Sequence, residues 1–307
     1  MRAYYCDTFV LPLPEGHRFP MDKYRLLRER LESLVADDPL LGIDFHLPPA
    51  ATNEQLLSAH GVDYVNSVIT GELTPKEQRA LGFPWSEAMV ERSRRSSGAT
   101  LAACRTAFEE GIAVNLAGGT HHAMAHEAQG FCVFNDSVIA ARGLQAEGLA
   151  KRPIVIDLDV HQGNGTASVL EHDSSIFTLS VHGERNFPFT KATSDLDVAL
   201  PDGTQDAEYL DALDLALAAA SQRFTPDCVI YIAGADPFEK DKLGKLSLSK
   251  QGLAARDERV FEYCRHNQLP VAVSMAGGYA REIDDIVDIH AQTVLLAANY
   301  WKQLALL

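Results

Sequence analysis

The fold is decided by residues 153–165, which read PIVIDLDVHQGNG. The first part of this stretch is a continuous apolar run, which is typical of a strand buried on both faces of a parallel sheet. The run ends in acidic residues, a histidine and two glycines, as expected where a strand gives way to a turn and a new element. Because ligands bind at the carboxyl ends of the strands in such sheets, this junction predicts a functional site.

Similar apolar runs predict four more strands, and helical segments alternate with them. The predicted strands are 112–116, 153–160, 175–181, 227–234 and 270–277. The predicted helices are 21–36, 53–69, 86–109, 136–148, 206–222, 250–266 and 283–304. This alternation predicts an α/β protein, and no repeat or Gly/Ser-rich linker divides the chain. We therefore expect residues 1–307 to form a single open domain with a mainly parallel β-sheet flanked by helices.

The composition excludes several classes of protein. The chain has 307 residues, of which 46% are hydrophobic, so it is too apolar to be disordered. No apolar run approaches the ~18–20 residues of a membrane span, and the N-terminal segment lacks the apolar stretch of a signal peptide, so we expect a cytoplasmic protein. The net charge of −15 argues against a nucleic-acid partner and would attract cationic ligands. The five scattered cysteines match neither a disulfide framework nor a zinc finger.

Chemically active side chains follow the predicted strands. In an extended strand Asp157, Asp159 and His161 share one face, where two buried carboxylates require a cation. A divalent metal held by Asp159, His161 and Asp236 would have an O/N/O ligand set with an open position for water. Such a set suits a catalytic zinc ion, or a ferrous ion, better than a closed structural site. In the alternative interpretation these residues cap the next helix, a role that Asn164 could take.

Two histidines follow the predicted strand 112–116 and a Gly-Gly pair. One of His121 and His122 could remove a proton from water while the other stays protonated and stabilises negative charge. Asp157 and Asn164 are available to fix their tautomers. The phenol of Tyr279 could donate a hydrogen bond to a tetrahedral oxyanion, although it could also be an ordinary core or rim tyrosine. The whole set indicates metal-assisted hydrolysis of an amide.

The order and approximate spacing of these motifs resemble the zinc-dependent histone deacetylase family. The matching segments are GGTHHA (118–123), GFCVFND (130–136), VIDLDVHQGNG (155–165), AGADPF (233–238), DKLG (241–244) and AGGY (276–279). Asn164 and the D-x-L-G-x-L-S-x-S pattern from Asp241 to Ser249 resemble the class IV deacetylases and their bacterial relatives. The resemblance covers the chain from about residue 50 to its end and implies the arginase-deacetylase fold.

The resemblance implies a role for each residue of the site. Asp159, His161 and Asp236 become zinc ligands, His122 the general base and then acid, His121 its electrostatic partner held by Asp157, and Tyr279 the oxyanion donor. Family members often hold a potassium ion beside the zinc, and Asp157 and Ser180 match its side-chain ligands. The family also has a narrow channel for an acylated lysine. The corresponding channel residues are Gly130, Phe131, Phe187 and Gly278.

The chain departs from the class I pattern in three ways. Asn164 stands where class I members have Asp, so the partner of His122 is neutral. No acidic rim residue aligns within residues 71–95, and no basic localisation run is present. Histones are therefore not the expected substrate.

The predicted activity is zinc-dependent removal of acetyl or longer acyl groups from the ε-amine of lysine in proteins or peptides. The alternative is acetylpolyamine hydrolysis, which uses the same residues and whose polycationic substrate would suit an acidic protein. A non-catalytic acyl-lysine binder is a further alternative. Two-metal guanidine hydrolysis is disfavoured, because Gly163 and Phe238 stand where the second metal would need carboxylates. The sequence makes no prediction about the oligomeric state.

Overall fold

One parallel sheet organises the residues that the computed structural model describes, which are 1–304 and 306. Its strands are β1 (Arg2–Tyr4), β2 (Asp44–His46), β3 (Ile112–Asn115), β4 (Pro153–Asp157), β5 (Phe177–Gly183), β6 (Leu196–Leu200), β7 (Cys228–Ile232) and β8 (Val271–Ser274). Their order across the sheet is β2-β1-β3-β8-β7-β4-β5-β6, and every neighbouring pair is parallel. The predicted parallel α/β architecture is confirmed.

Helices cover both faces of this sheet. They are α1 (Lys23–Asp37), α2 (Asn53–Leu57), α3 (Val62–Thr70), α4 (Pro75–Leu81), α5 (Glu87–Glu110), α6 (Asp136–Ala146), α7 (Asn164–Leu170), α8 (Asp206–Arg223), α9 (Lys250–Asn267) and α10 (Ile283–Leu304). Among the described residues, no helix combines the length and the apolar character that a membrane crossing would need.

The two faces of the sheet have separate hydrophobic cores, because successive side chains of a strand point in opposite directions. On β4, Ile154 and Ile156 pack with residues of α1, α8, α9 and α10. Val155, between them, packs on the other face with residues of α2, α3, α5 and α6. Burial on both sides explains why the central strands are apolar throughout. It leaves the ends of the strands as the place where polar side chains can gather.

The predicted elements agree with the structure best where they are long. The helices α1, α5, α6, α8, α9 and α10 and the five predicted strands are present, with the strands shorter than predicted or displaced by two residues. The prediction missed β1 and β2, which have only three residues each, and β6, which is a partly exposed edge strand. It also missed the short helices α4 and α7.

The single helix predicted for 53–69 is wrong, because the chain divides it into α2 and α3. Gly61 lies between them in an extended conformation, with φ −66° and ψ 146°, and its amide donates to the carbonyl of Ala125 at 2.8 Å. A Cβ atom at this position would lie 2.4 Å from Nδ1 of His126, so a larger residue here would have to displace that exposed side chain.

The strand predicted to reach residue 160 ends at Asp157. The amide of Leu158 still donates to a carbonyl of the neighbouring strand segment, that of Ile232. Beyond this residue, backbone amides donate to carboxylate side chains and no longer to a neighbouring strand. The amide of Asp159 donates to Oδ1 of Asp157 at 3.1 Å, and the amide of His161 donates to Oδ1 of Asp159 at 2.9 Å. Asp159 and His161 therefore belong to a tight loop at the edge of the sheet, and not to an extended strand.

Candidate active site

A cavity of about 440 Å³ opens at the carboxyl edge of the sheet. The loops that follow β3, β4, β7 and β8 all contribute to its lining. The predicted site residues that line it are His121, His122, Gly130, Phe131, Asp159, His161, Phe187, Asp236 and Tyr279. Asp157 and Asn164 lie behind the two histidines as their hydrogen-bond partners.

Three buried side chains at the base of this cavity form a group suited to a metal ion. One atom each of Asp159, His161 and Asp236 lies within 4.8 Å of the others. Nδ1 of His161 is 3.0 Å from Oδ1 of Asp159 and 3.2 Å from Oδ2 of Asp236. The remaining carboxylate oxygens accept backbone amides, from Gly277 to Asp159 and from Val160 to Asp236, at 2.9 Å each. Oδ2 of Asp236 is buried and makes no hydrogen bond, so it is a ligand atom in need of a cation.

The electrostatics of this group lead to the same conclusion. Burial and the charge of Asp159 raise the pKa of Asp236 to about 7. Burial alone would lower the pKa of His161, but the two carboxylates outweigh it and raise that pKa to about 10. The group therefore attracts positive charge at neutral pH. An O/N/O donor set of this kind fits a catalytic divalent metal.

Gly277 is required beside these carboxylates. A Cβ atom there would lie 2.0 Å from Oδ2 of Asp236 and 2.5 Å from Oδ2 of Asp159. The backbone can approach both carboxylates only because the residue has no side chain.

The two histidines have different partners, as predicted. Nδ1 of His121 is 2.6 Å from Oδ2 of Asp157, and Nδ1 of His122 is 2.6 Å from Oδ1 of Asn164. The rings of the two histidines are 4.1 Å apart, and the ring of His122 is 5.8 Å from that of His161. With Nδ1 of His122 donating to the amide oxygen, Nε2 carries the lone pair of the neutral ring.

These partners separate the protonation states of the two histidines. Burial disfavours the charged form of His121, but the carboxylates of Asp157 and Asp159 outweigh it and raise the pKa to about 9. Burial, together with the positive charges of His121 and His161, lowers the pKa of His122 well below its usual range. At neutral pH the pair therefore consists of a charged and a neutral imidazole, as a base with an electrostatic partner requires.

A buried carboxylate holds the histidine loop in place. Asp136 accepts the backbone amides of Gly119 and Thr120 at 2.9 and 2.8 Å, and its Oδ2 accepts the hydroxyl of Thr100 at 2.6 Å. Gly119 has φ +69°, and a Cβ atom there would lie 2.3 Å from Cβ of Ala276. The loop is thus fixed from two sides. Sequence reasoning missed Asp136, although it lies in the quoted GFCVFND motif.

Tyr279 lies on the cavity wall. Its amide donates to Oδ2 of Asp241 at 2.6 Å, and Oδ1 of Asp241 accepts the amides of Leu243 and Gly244 at 2.8 Å each. Burial raises the pKa of the Tyr279 phenol well above its ordinary value, so the hydroxyl stays protonated and can donate. Asp241 therefore positions the backbone of Tyr279, the residue that the sequence predicted as an oxyanion donor.

Aromatic rings line the part of the cavity that leads down to Asp159, His161 and Asp236. The ring of Phe187 stands perpendicular to that of His122, with the ring centroids 4.9 Å apart. Phe131 lies 6.2 Å from Tyr279, and a Cβ atom on Gly130 would come within 2.8 Å of the His122 ring. The cavity lining includes Gly277 but not Gly278, which the sequence predicted as a channel residue. A Cβ atom added at Gly278 would contact Ile286 and Ala235 in the core and would not reach the cavity.

Sequence reasoning missed a buried lysine at this site. Lys23, at the start of α1, lines the cavity, and its Nζ donates to the carbonyl of Ala276 at 2.9 Å. Burial lowers the pKa of Lys23 to about 8, although the charges of Asp236 and Asp159 oppose that shift. A lysine in the first turn of an amphipathic helix ordinarily lies in solvent, so the sequence contains no signal for this contact.

A buried arginine donates hydrogen bonds to both of the loops that carry Asp159 and Asp236. From α9, Nη1 of Arg256 donates to the carbonyl of Gly234 at 2.5 Å and to that of Leu158 at 3.2 Å. Its charge is balanced by Asp257 at 2.8 Å, which also accepts the hydroxyl of Thr293. Leu158 directly precedes Asp159 in the chain, and Gly234 lies two residues before Asp236. This contact was not predicted.

Comparisons with known proteins agree with the fold. The family described as "Histone deacetylase domain" matches residues 17–294. An uncharacterized protein of Picosynechococcus sp. is 42% identical over 94% of this chain and 95% of its own length. Histone deacetylase 2 of Arabidopsis thaliana is 33% identical over 92% of this chain and 76% of its own. A crystal structure of an HDAC homologue complexed with SAHA has a TM-score of 0.82 at 26% identity, covering 97% of this chain and 83% of that one.

The parallel sheet and the polar groups at its carboxyl edge thus define a hydrolase of the deacetylase type with the arginase-deacetylase fold. The chain belongs to the histone deacetylase family.

Proposed function

We propose that the protein is a zinc-dependent amidohydrolase that removes acetyl or longer acyl groups from the ε-amine of lysine in proteins or peptides. The observation that carries this proposal is the neutral His122 beside the charged His121, next to the Asp159, His161 and Asp236 group at the base of one cavity. Names of relatives and of a solved homologue, which refer to histone deacetylases, support the same activity.

The residues divide the work of hydrolysis. Asp159, His161 and Asp236 would hold the metal, which when bound lowers the pKa of water and polarises the amide carbonyl. Zinc suits the donor set, and a ferrous ion is the alternative. His122 takes a proton from the attacking water through Nε2 and later delivers it to the departing lysine amine.

Two other groups stabilise the charge that develops on the amide oxygen. The Tyr279 hydroxyl donates a hydrogen bond to that oxygen, and the protonated His121, fixed by Asp157, supplies positive charge nearby. Phe131 and Phe187 exclude water around the aliphatic part of the lysine side chain. These roles need side chains in fixed positions, which the bond to Asp157 supports for His121 and the bond of its amide to Asp241 supports for Tyr279.

A potassium ion beside this group is a further part of the proposal. Asp157 and Ser180 are register partners on β4 and β5, so their side chains project from neighbouring positions. The hydroxyl of Ser180 is 3.0 Å from Nδ1 of His182, and whichever of the two donates, the hydroxyl oxygen keeps a lone pair for a cation.

A product assay on zinc-loaded protein tests the proposal. Acetyl-, octanoyl- and myristoyl-lysine peptides are offered beside acetylputrescine and acetylspermidine, and the free amine is measured. We expect turnover of lysine peptides, with the preferred chain length reporting the depth of the channel. Turnover of polyamines alone would assign the alternative activity. With stoichiometric zinc confirmed, failure to turn over any of these substrates would favour a non-catalytic binder.

A further inference from the structure

The mouth of the cavity is positively charged, although the chain as a whole carries −15. Arg18, Arg185 and Lys245 line the mouth and are exposed to solvent. Within the part of the chain that the structure describes, the acidic residues lining this cavity are Asp159 and Asp236, which are buried at its base. The three cations, hereafter the rim cations, therefore face an arriving substrate before the carboxylates do.

The rim cations keep most of their charge available. The side chain of Arg185 is 73% exposed, and its nearest carboxylate is that of Asp202 at 4.0 Å. Among the described residues, no carboxylate lies within 4.0 Å of Arg18 or Lys245. The guanidinium carbon of Arg18 instead lies 5.0 Å from the ring centroid of Phe131, one of the aromatic wall residues.

Hydrogen bonds hold two of the three rim cations on one connected surface. Nδ2 of Asn186 donates to the carbonyl of Leu243 at 2.8 Å, and the amide of Lys245 donates to Oδ1 of Asn186 at 3.2 Å. These bonds join the segment of Arg185 to that of Lys245. The charges are thus placed beside both aromatic walls, Arg18 on Phe131 and Arg185 two residues before Phe187.

The acidic neighbours of this surface lie outside the cavity lining. Glu184 precedes Arg185 in the chain but does not line the cavity. Asp241 does not line the cavity either, and its carboxylate accepts the backbone amides of Leu243, Gly244 and Tyr279. The charged side chains that line the entrance itself are therefore the rim cations.

We propose that the protein prefers an acylated lysine flanked by acidic residues in a protein or peptide, and that Arg18, Arg185 and Lys245 determine this specificity. The inference rests on the proposed function and names its substrate class. The aromatic walls accept the lysine side chain, so the flanking residues of the peptide stay at the mouth beside the rim cations. Phe189, which is 86% exposed and packs its ring edge-on against Phe187, offers an apolar contact in the same place. Acetylated polyamines and lysine-rich tails are disfavoured there by like-charge repulsion.

Three peptides of equal length test the preference. Each carries one acetyl-lysine, flanked by Asp and Glu, by Ser, or by Lys and Arg. Turnover gives KM and kcat, and fluorescence anisotropy gives Kd whether or not turnover occurs. Exposed ion pairs contribute modestly, so at low salt we expect KM and Kd of the acidic peptide to be about fivefold to thirtyfold lower than those of the basic peptide. The difference should largely disappear at about 0.5 M salt, with kcat similar throughout.

A matched pair of variants locates the effect. Charge reversal in R18E/R185E/K245E should abolish or invert the preference. The control K151E/R223E/R265E changes the net charge by the same amount at exposed positions that precede β4, β7 and β8, at the opposite edge of the sheet. We expect this control to keep the wild-type preference. Zinc content and thermal unfolding establish that both variants are folded.

Several results would overturn the inference. Equal or tighter binding of the basic peptide, or equal loss of the preference in both triple variants, would show that the rim cations do not select substrates. Turnover of the Ser-flanked peptide would support the proposed function in either case. If zinc-loaded protein hydrolyses none of the peptides, the proposed function fails, and the anisotropy measurements still decide whether the rim cations select acidic peptides.

Discussion

The base and the mouth of the cavity differ in burial, charge and dependence on their surroundings. At the base, Asp159, His161 and Asp236 are buried and negatively charged as a group, and both carboxylates accept backbone amides. At the mouth, the rim cations are exposed, and weak contacts surround them. Buried groups interact strongly because water screens them little, whereas exposed charges act weakly and at longer range. The base is thus suited to the reaction and the mouth to the choice of substrate.

The largest expected effect concerns the base. In Asp236→Ala the metal group keeps two protein ligands, so we expect metal and activity to be lost together. Zinc stoichiometry by atomic absorption and turnover of an acetyl-lysine peptide are the measurements. Asp211→Ala, an exposed change on α8, is the control and should keep both. Stoichiometric zinc in Asp236→Ala would show that the ligand set is wrongly assigned.

A smaller effect is expected for Tyr279, the proposed oxyanion donor. Tyr279→Phe removes one hydroxyl and leaves the ring packing intact, so zinc should stay bound while kcat falls by about 10²–10³. Single-turnover kinetics on the zinc-loaded variant measure this loss. An unchanged rate would remove Tyr279 from the mechanism.

Arg256, which binds the loops that carry Asp159 and Asp236, should have a smaller effect than Tyr279. Arg256→Met releases the carbonyls of Leu158 and Gly234 and leaves Asp257 as a buried unpaired charge. We expect zinc affinity to fall by about 10–100-fold, the scale of an outer-shell partner, and the thermal unfolding temperature to fall as well.

Two related variants separate positioning from general stability. Arg256→Lys keeps the charge and should recover part of the zinc affinity, because the ammonium can still donate to a carbonyl. Arg259→Met, one turn along α9 and more exposed, should change neither property. If the zinc affinity of folded Arg256→Met equals that of the wild type, Arg256 has only a structural role.

The smallest expected effect is a shift in the pH dependence of kcat/KM. Burial and nearby positive charges lower the pKa of His122, so we expect the wild-type protein to lose activity only when the pH falls well below neutral. Asn164→Asp places a carboxylate 2.6 Å from Nδ1, which favours the imidazolium and raises that pKa. The acidic limb of kcat/KM should therefore move to higher pH, as a pH–rate series on both proteins would show. An unmoved limb would mean that His122 is not the group titrating there.

Prediction from the sequence succeeded where a short segment contains both the strand and its functional residues. The buried run 153–157 and the polar loop after it lie together, so Asp159 and His161 could be found without a structure. The exact strand end could not be predicted, because it depends on carboxylates replacing strand partners as acceptors. The break at Gly61 depends likewise on a contact with residue 125, which is distant in sequence.

The sequence by itself determined the kind of chemistry at the base, because acids, histidines and glycines follow buried strands whose carboxyl ends share one edge. Only the tertiary structure decided which distant side chains bind the loops that carry these residues. Arg256 reaches a carbonyl 98 residues away, and Lys23 reaches one 253 residues away. The charge at the mouth was also decided by the fold, because a net charge averages over the whole surface while the cavity brings Arg18, Arg185 and Lys245 to one opening. Local spacing contains no information about contacts that arise only when distant segments pack together.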